Sequence, residues 1–162
     1  MSQNNRAVVS LPSDREILVT RVFDAPRALV FRAHIDPALL PLWWGPRYLT
    51  TEVDQFDVRP GGAWRIVQRA PDGGEHGFRG EFREIAAPER IVQTFEYEGM
   101  PGHIIVQNLT FTEQDGKTTL TTHEVYASPE DRDGMLASGM EGGMHETYAR
   151  LDELLAQQVA AQ

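Results

Sequence analysis

Residues 128–159, SPEDRDGMLASGMEGGMHETYARLDELLAQQV, decide the fold. The segment opens as a helix should. Ser128 is a good N-cap, Pro129 suits the first turn, and Glu130 and Asp131 complement the positive end of the helix dipole. Leu136, Met140, Met144, Thr147, Tyr148, Leu151, Leu154 and Leu155 then recur at spacings of three and four. One buried stripe of this kind predicts a helix of roughly 30 residues, about 45 Å long at 1.5 Å per residue. Gly139, Gly142 and Gly143 interrupt it, each at about 1 kcal/mol relative to alanine. Such a cost predicts either a second backbone in close approach or open room beside the helix.

The chain upstream supplies a sheet to cover that helix. Glu16–Phe23 alternates and reads as the first strand. Asp24-Ala25-Pro26 starts a short helix with Leu29, Val30 and Ala33 on its apolar side. Asp36-Pro37 starts a second that ends near Trp43-Trp44-Gly45-Pro46. Six further strands are expected over residues 50–58, 63–70, 75–85, 90–98, 103–112 and 117–126, separated by Pro-, Gly- and Asp-rich turns. Turns at short, regular spacing predict an antiparallel meander, hence an α+β domain with six to seven strands. Alternation places Trp64, Ile66, Phe78, Gly80, Phe82, Phe95 and Tyr97 on the face toward the helix, and by parity His103, Ile105, Gln107, Leu109 and Phe111 as well. On the opposite face Arg79 and Arg83 can pair with Glu96 and Glu98.

A length of 162 residues suits one domain over 14–160, preceded by a mobile tail at 1–13. The formal charge of −9 argues against nucleic acid and anionic membrane surfaces as partners, since both require a basic patch. Absence of cysteine excludes disulfides, thiolate metal sites and cysteine nucleophiles, and suits a reducing cytoplasm. No signal-peptide core follows Arg6, and no window has the length and hydropathy of a membrane span.

Several short motifs are recognisable together. Val22-Phe23-Asp24-Ala25-Pro26, Trp43-Trp44-Gly45-Pro46, Arg59-Pro60-Gly61-Gly62, Phe78-Arg79-Gly80-Glu81-Phe82 and Pro88-Glu89-Arg90-Ile91 occur in order. With Glu130-Asp131-Arg132-Asp133-Gly134-Met135 and Ser138-Gly139-Met140-Glu141, they resemble single-domain bacterial members of the heat-shock-protein-90 ATPase activator homologue family. That family belongs to the START-like, or SRPBCC, superfamily of helix-grip folds. The resemblance runs from about Arg15 to Leu155 and implies a sheet curled around the C-terminal helix with a cavity between them. It implies no cofactor. Related chains usually carry tryptophan where this one has Met144, so the interior is expected to be either roomier here or repacked. The separate N-terminal domain of the eukaryotic chaperone activators has no counterpart in these residues, which ranks a chaperone partner below a small molecule.

The residues expected to form the cavity wall are Phe31, Trp43, Trp44, Trp64, Phe78, Phe82, Phe95, Tyr97, Met140, Met144 and Tyr148, with Gln107 and His123 as polar orienters. The ligand such a wall suits is a small hydrophobic or aromatic molecule. Two alternatives stand beside binding. One is a cyclase- or dehydratase-type enzyme drawing its acid–base groups from His103, Gln107, His123, Glu124 and Tyr148. The other is a chaperone-associated or other protein-binding module that uses the outer sheet face or exposed loops; separately, a sheet edge could pair in a homodimer. Five histidines are present, but His145-Glu146 lacks the second histidine four residues later, and no spacing enforces a metal site.

Overall fold

Alternation and turn chemistry produce eight strands in a single antiparallel sheet, ordered β1-β2-β8-β7-β6-β5-β4-β3. The computed structural model describes residues 5–162; residues 1–4, expected in the mobile tail, lie outside the described residues. The strands are β1 (Val8–Ser10), β2 (Glu16–Phe23), β3 (Thr50–Phe56), β4 (Ala63–Arg69), β5 (Glu75–Ala86), β6 (Arg90–Tyr97), β7 (Ile105–Gln114) and β8 (Lys117–Val125). Helix α1 (Arg27–Ile35) and a 3-10 turn (Leu40–Leu42) follow β2, and α2 (Pro129–Ala137) and α3 (Met140–Ala160) end the chain. The hairpin between β7 and β8 shows how sequence sets register. Its two-residue loop is Asp115-Gly116, at φ 55° and 76°, which matches the right-handed twist of the flanking strands.

Three expectations are corrected. Residues 8–10, placed in the tail, pair with Leu18, Val19 and Thr20 as an edge strand. The second short helix after β2 is only the 3-10 turn, although Asp36 caps the segment as expected, its carboxylate accepting from the amide of Ala38 (2.9 Å). The roughly 30-residue helix is two helices. Ser128 caps α2 as expected, its hydroxyl accepting from the Asp131 amide (3.1 Å), but α2 stops at Ser138 and Gly139 takes a left-handed φ of 83° before α3 begins. Glycine reaches that conformation without the steric penalty other residues meet. An added Cβ at Gly139, Gly142 or Gly143 would touch nothing within 4 Å. Gly142 and Gly143 are exposed, so these glycines border solvent and no second backbone approaches them.

The core sits between α3 and the concave face of the sheet. Leu151, Leu154 and Leu155 pack among Phe23, Trp64, Phe82, Ile91, Leu109, Phe111 and Leu120, with α1 adding Val30, Phe31 and Ala33. Register shifts between Val53 and Gln55 and between Phe82 and Glu84 mark bulges, which bend and twist the strands that carry them. One inward-facing cation joins sheet and helix. Arg21 of β2 is 7% exposed, binds Asp152 of α3 through both oxygens (3.0 and 2.6 Å), and lays its guanidinium 4.7 Å from the centre of the Phe23 ring. On the outer face Arg79 pairs with Glu96 (3.0 Å) as alternation predicts, whereas Glu98 is taken by Arg65 (2.8 Å).

Candidate functional site: a cavity between sheet and helices

Between the concave face, the turn after α1 and the two C-terminal helices lies a cavity of about 350 Å³. Every layer of the fold contributes to its wall: Ile66 and Trp64 from β4, Ile91 and Phe95 from β6, Ile105 and Leu109 from β7, Met135 from α2, Met140, Met144 and Tyr148 from α3. Of the side chains expected there, Trp43, Trp44, Trp64, Phe95, Gln107, Met140, Met144 and Tyr148 reach it.

The other five sit elsewhere. Phe31 is buried behind the wall, edge-on to Phe111 (ring centres 5.1 Å apart), and Phe82 is buried against Phe56 (5.4 Å). Phe78 stacks on Tyr97 (5.2 Å) and stands edge-on to Trp44 (5.3 Å), supporting the wall from outside, while the Tyr97 hydroxyl meets His76 Nδ1 at 2.9 Å. His123 faces outward, where its Nε2 pairs with Glu16 of β2. His103 and Asp131 form an exposed pair at 2.8 Å, and His145 is exposed on α3, so the three histidines do not converge. Among the described residues no three His, Asp or Glu side chains gather as a metal ion would require.

The roof is the segment 40–46, and hydrogen bonds hold it in place. Trp43 Nε1 donates to the carbonyl of Ala33 (3.0 Å), and the Thr51 hydroxyl donates to the carbonyl of Trp44 (2.8 Å). From α3, Arg150 donates to the carbonyls of Gly45 (2.7 Å) and Leu42 (3.0 Å), satisfying groups that the 3-10 turn leaves open. Arg47 adds an exposed ion pair with Glu153. Gly45 turns the chain at φ 86°, and a Cβ there would fall 1.7 Å from the Nε2 of buried Gln68. Only glycine fits on both counts.

Several polar groups of the wall are linked to one another. Gln93 Nε2 donates to Gln107 Oε1 (2.9 Å), and Gln107 Nε2 donates to Glu124 Oε2 (2.7 Å). The Tyr126 hydroxyl donates to Glu124 Oε1 (2.9 Å). Burial pushes the Glu124 carboxyl above its ordinary range, and the donors Gln107 and Tyr126 pull it part of the way back. Burial also raises the Tyr148 phenol, while a hydrogen bond from Thr122 acts in the opposite sense. At the roof, burial drives the His34 imidazole down to about 4, even though its Nδ1 lies 2.8 Å from the Val30 carbonyl. At neutral pH His34 is therefore uncharged, and Nδ1 carries the proton because a carbonyl only accepts.

The inward acid is thus Glu124, not its neighbour His123. Leu120, Thr122 and Glu124 alternate onto the concave face, and Gln107 pairs with Glu124 across β7 and β8. Gln93 lies inward for the same reason, between Ile91 and Phe95 on β6, and faces Gln107. His34, four residues after Val30 on the buried side of α1, also reaches the wall.

An eight-stranded antiparallel sheet closed by a C-terminal helix defines the helix-grip class. Within it, the model of the family described as activator of Hsp90 ATPase homolog 1-like protein matches residues 24–156, and the chain belongs to that family. The crystal structure of a Rhodobacter sphaeroides protein superposes with a TM-score of 0.88 at 30% identity, over 94% of this chain and 99% of that one. A Mycobacterium smegmatis protein gives 0.82 at 27% identity over 92% and 96% of the two chains. A Silicibacter pomeroyi protein gives 0.70 at 21% identity over 88% and 99%, a likeness of fold alone. Among curated proteins, none matches the chain. No helix of the described residues is long and apolar enough to cross a membrane.

Proposed function

We propose that the chain is a binding protein for a small, mostly hydrophobic molecule held between the sheet and the C-terminal helices. One observation carries the reading: a space of about 350 Å³ walled by Trp43, Trp44, Trp64, Phe95, Met140, Met144 and Tyr148, with Gln93, Gln107 and Glu124 among its polar lining groups. A wall of that composition rewards burial of apolar ligand surface, and its polar groups orient what enters. The charge of −9 and the lack of cysteine are in keeping with a cytoplasmic site of action.

Thermal shift against a library of lipids and aromatic compounds tests this, with tryptophan fluorescence as a second signal. A ligand at one hundred times its Kd stabilises by about 2.7 kcal/mol, which raises Tm by several degrees. Met144→Trp, which fills part of the space, should abolish the shift while the empty protein keeps its Tm. The reading fails if no compound moves either signal, or if Met144→Trp leaves a hit unaffected.

A further inference from the structure

Glu124 is an acid whose partners all work in one direction. Gln107 and Tyr126 both donate to it, one to each oxygen, and Gln107 is itself oriented by the amide of Gln93. Both carboxyl oxygens are therefore set as acceptors, and each retains a lone pair for another donor. Glu124 lines the cavity. No cation answers it. Among the described residues neither lysine nor arginine contributes to the wall. Arg21, which faces inward from the neighbouring strand, is bound at both oxygens by Asp152, and Arg150 is committed to the roof carbonyls. When ionised, a carboxylate braced by two donors with no cation among the wall residues is stabilised by a counter-ion that a ligand brings.

We propose that the ligand is an amine, whose ammonium group meets Glu124 while its apolar body lies among the tryptophans, Phe95 and Tyr148. Aromatic faces add to the attraction, since their negative quadrupoles favour a cation over a neutral head. An anionic ligand is disfavoured, because its charge would lie against Glu124 in a medium that screens little. This inference rests on the cavity being a ligand site and goes further in naming the head group.

The test uses one hydrocarbon body with four ends: 4-phenylbutylamine, 4-phenylbutanol, 4-phenylbutyrate and butylbenzene. Dissociation constants are read by calorimetry and tryptophan fluorescence at pH 7. The amine should bind about tenfold or more tighter than the alcohol, the scale of one charge-assisted hydrogen bond, and the carboxylate weakest. In Glu124→Gln, which keeps the shape, amine and alcohol should bind within about twofold of each other while butylbenzene binds as before, showing an intact cavity. If butylbenzene binds but the alcohol or the carboxylate equals the amine, the amine assignment is overturned and the binding reading survives. If none of the four binds, both fall. Should Glu124→Gln fail to fold, the ranking on the unaltered protein decides alone.

Discussion

Lowering the pH should weaken this protein, and the share carried by His34 follows from its burial. The imidazole titrates at about 4 in the folded state against 6.5 when free. Between those values the unfolded chain binds a proton that the folded chain refuses, so stability falls as pH falls. The contribution is complete above pH 6.5, declines through the window from 6.5 to about 4, and is flat below it. Linkage puts the loss at about 1.4 kcal/mol by pH 5.5 and about 3 kcal/mol by pH 4. Against a usual total of about 5–15 kcal/mol, that is a large share. Other groups titrate in the same range. Glu16, Glu96, Glu98 and Glu153 are held low by their partners and also lose stability in acid, whereas raised Glu124 acts in the opposite sense. The His34 share is isolated by denaturant unfolding of the native protein and of His34→Leu at pH 7, 5.5 and 4. The gap between the two should narrow or reverse by about 3 kcal/mol from pH 7 to pH 4. Proton NMR of the His34 ring should place its midpoint near 4. A midpoint near 6.5, or two proteins losing stability in parallel, would refute the argument.

Three substitutions probe the frame around the cavity. Asp152→Ala strips the counter-charge from buried Arg21 and should cost about 3–5 kcal/mol in denaturant unfolding, whereas a cost under 1 kcal/mol would mean that the pair is not desolvated. Arg150→Ala frees the carbonyls of Leu42 and Gly45; hydrogen exchange at residues 40–46 should accelerate and stability fall by about 1–3 kcal/mol, with protection elsewhere intact. Gly45→Ala meets both a left-handed backbone and the Gln68 amide, so Tm should drop by at least several degrees, and the Gln68→Ala background should recover part of the loss.

Much of this architecture was legible because strands announce themselves by alternation and hairpins by their turn residues. Asp115-Gly116 defined the β7–β8 hairpin, and the Trp64, Phe95 and Gln107 parity held wherever no bulge intervened. The break at Gly139 was hidden because the apolar stripe continues through it: Met135 and Leu136 before the break and Met140 and Met144 after it pack into one cluster. Periodicity reports which face is buried, and says nothing of a left-handed φ at one residue. The edge strand Val8–Ser10 is too short to alternate visibly. Between His123 and Glu124, strand parity decides which side chain faces inward. Histidine draws attention as an acid–base group, but Leu120 and Thr122 already assign the inward face to even-numbered positions of β8, and that parity selects Glu124. Gln93 and His34 were within reach of the same reasoning, through Ile91 and Phe95 for one and Val30 for the other. Phe78 and Tyr97 sit on the expected face, where Phe78 stacks on Tyr97 and stands edge-on to Trp44.

The two rims of the sheet determine how the molecule behaves in a crowd. On one side β1 offers only three residues, ending next to Leu11 and Pro12, and proline has no amide hydrogen to extend a ladder. On the other, β3 is kinked at Val53–Gln55 and presents the exposed carboxylates of Glu52 and Asp54. Neither rim is a flat template, so an incoming chain meets proline at one border and, at the other, a bent strand whose charged side chains are paired with Arg65 and Arg69. Concentrated solutions should therefore resist fibril growth, and a truncation removing the first ten residues would uncover β2 and forfeit that protection.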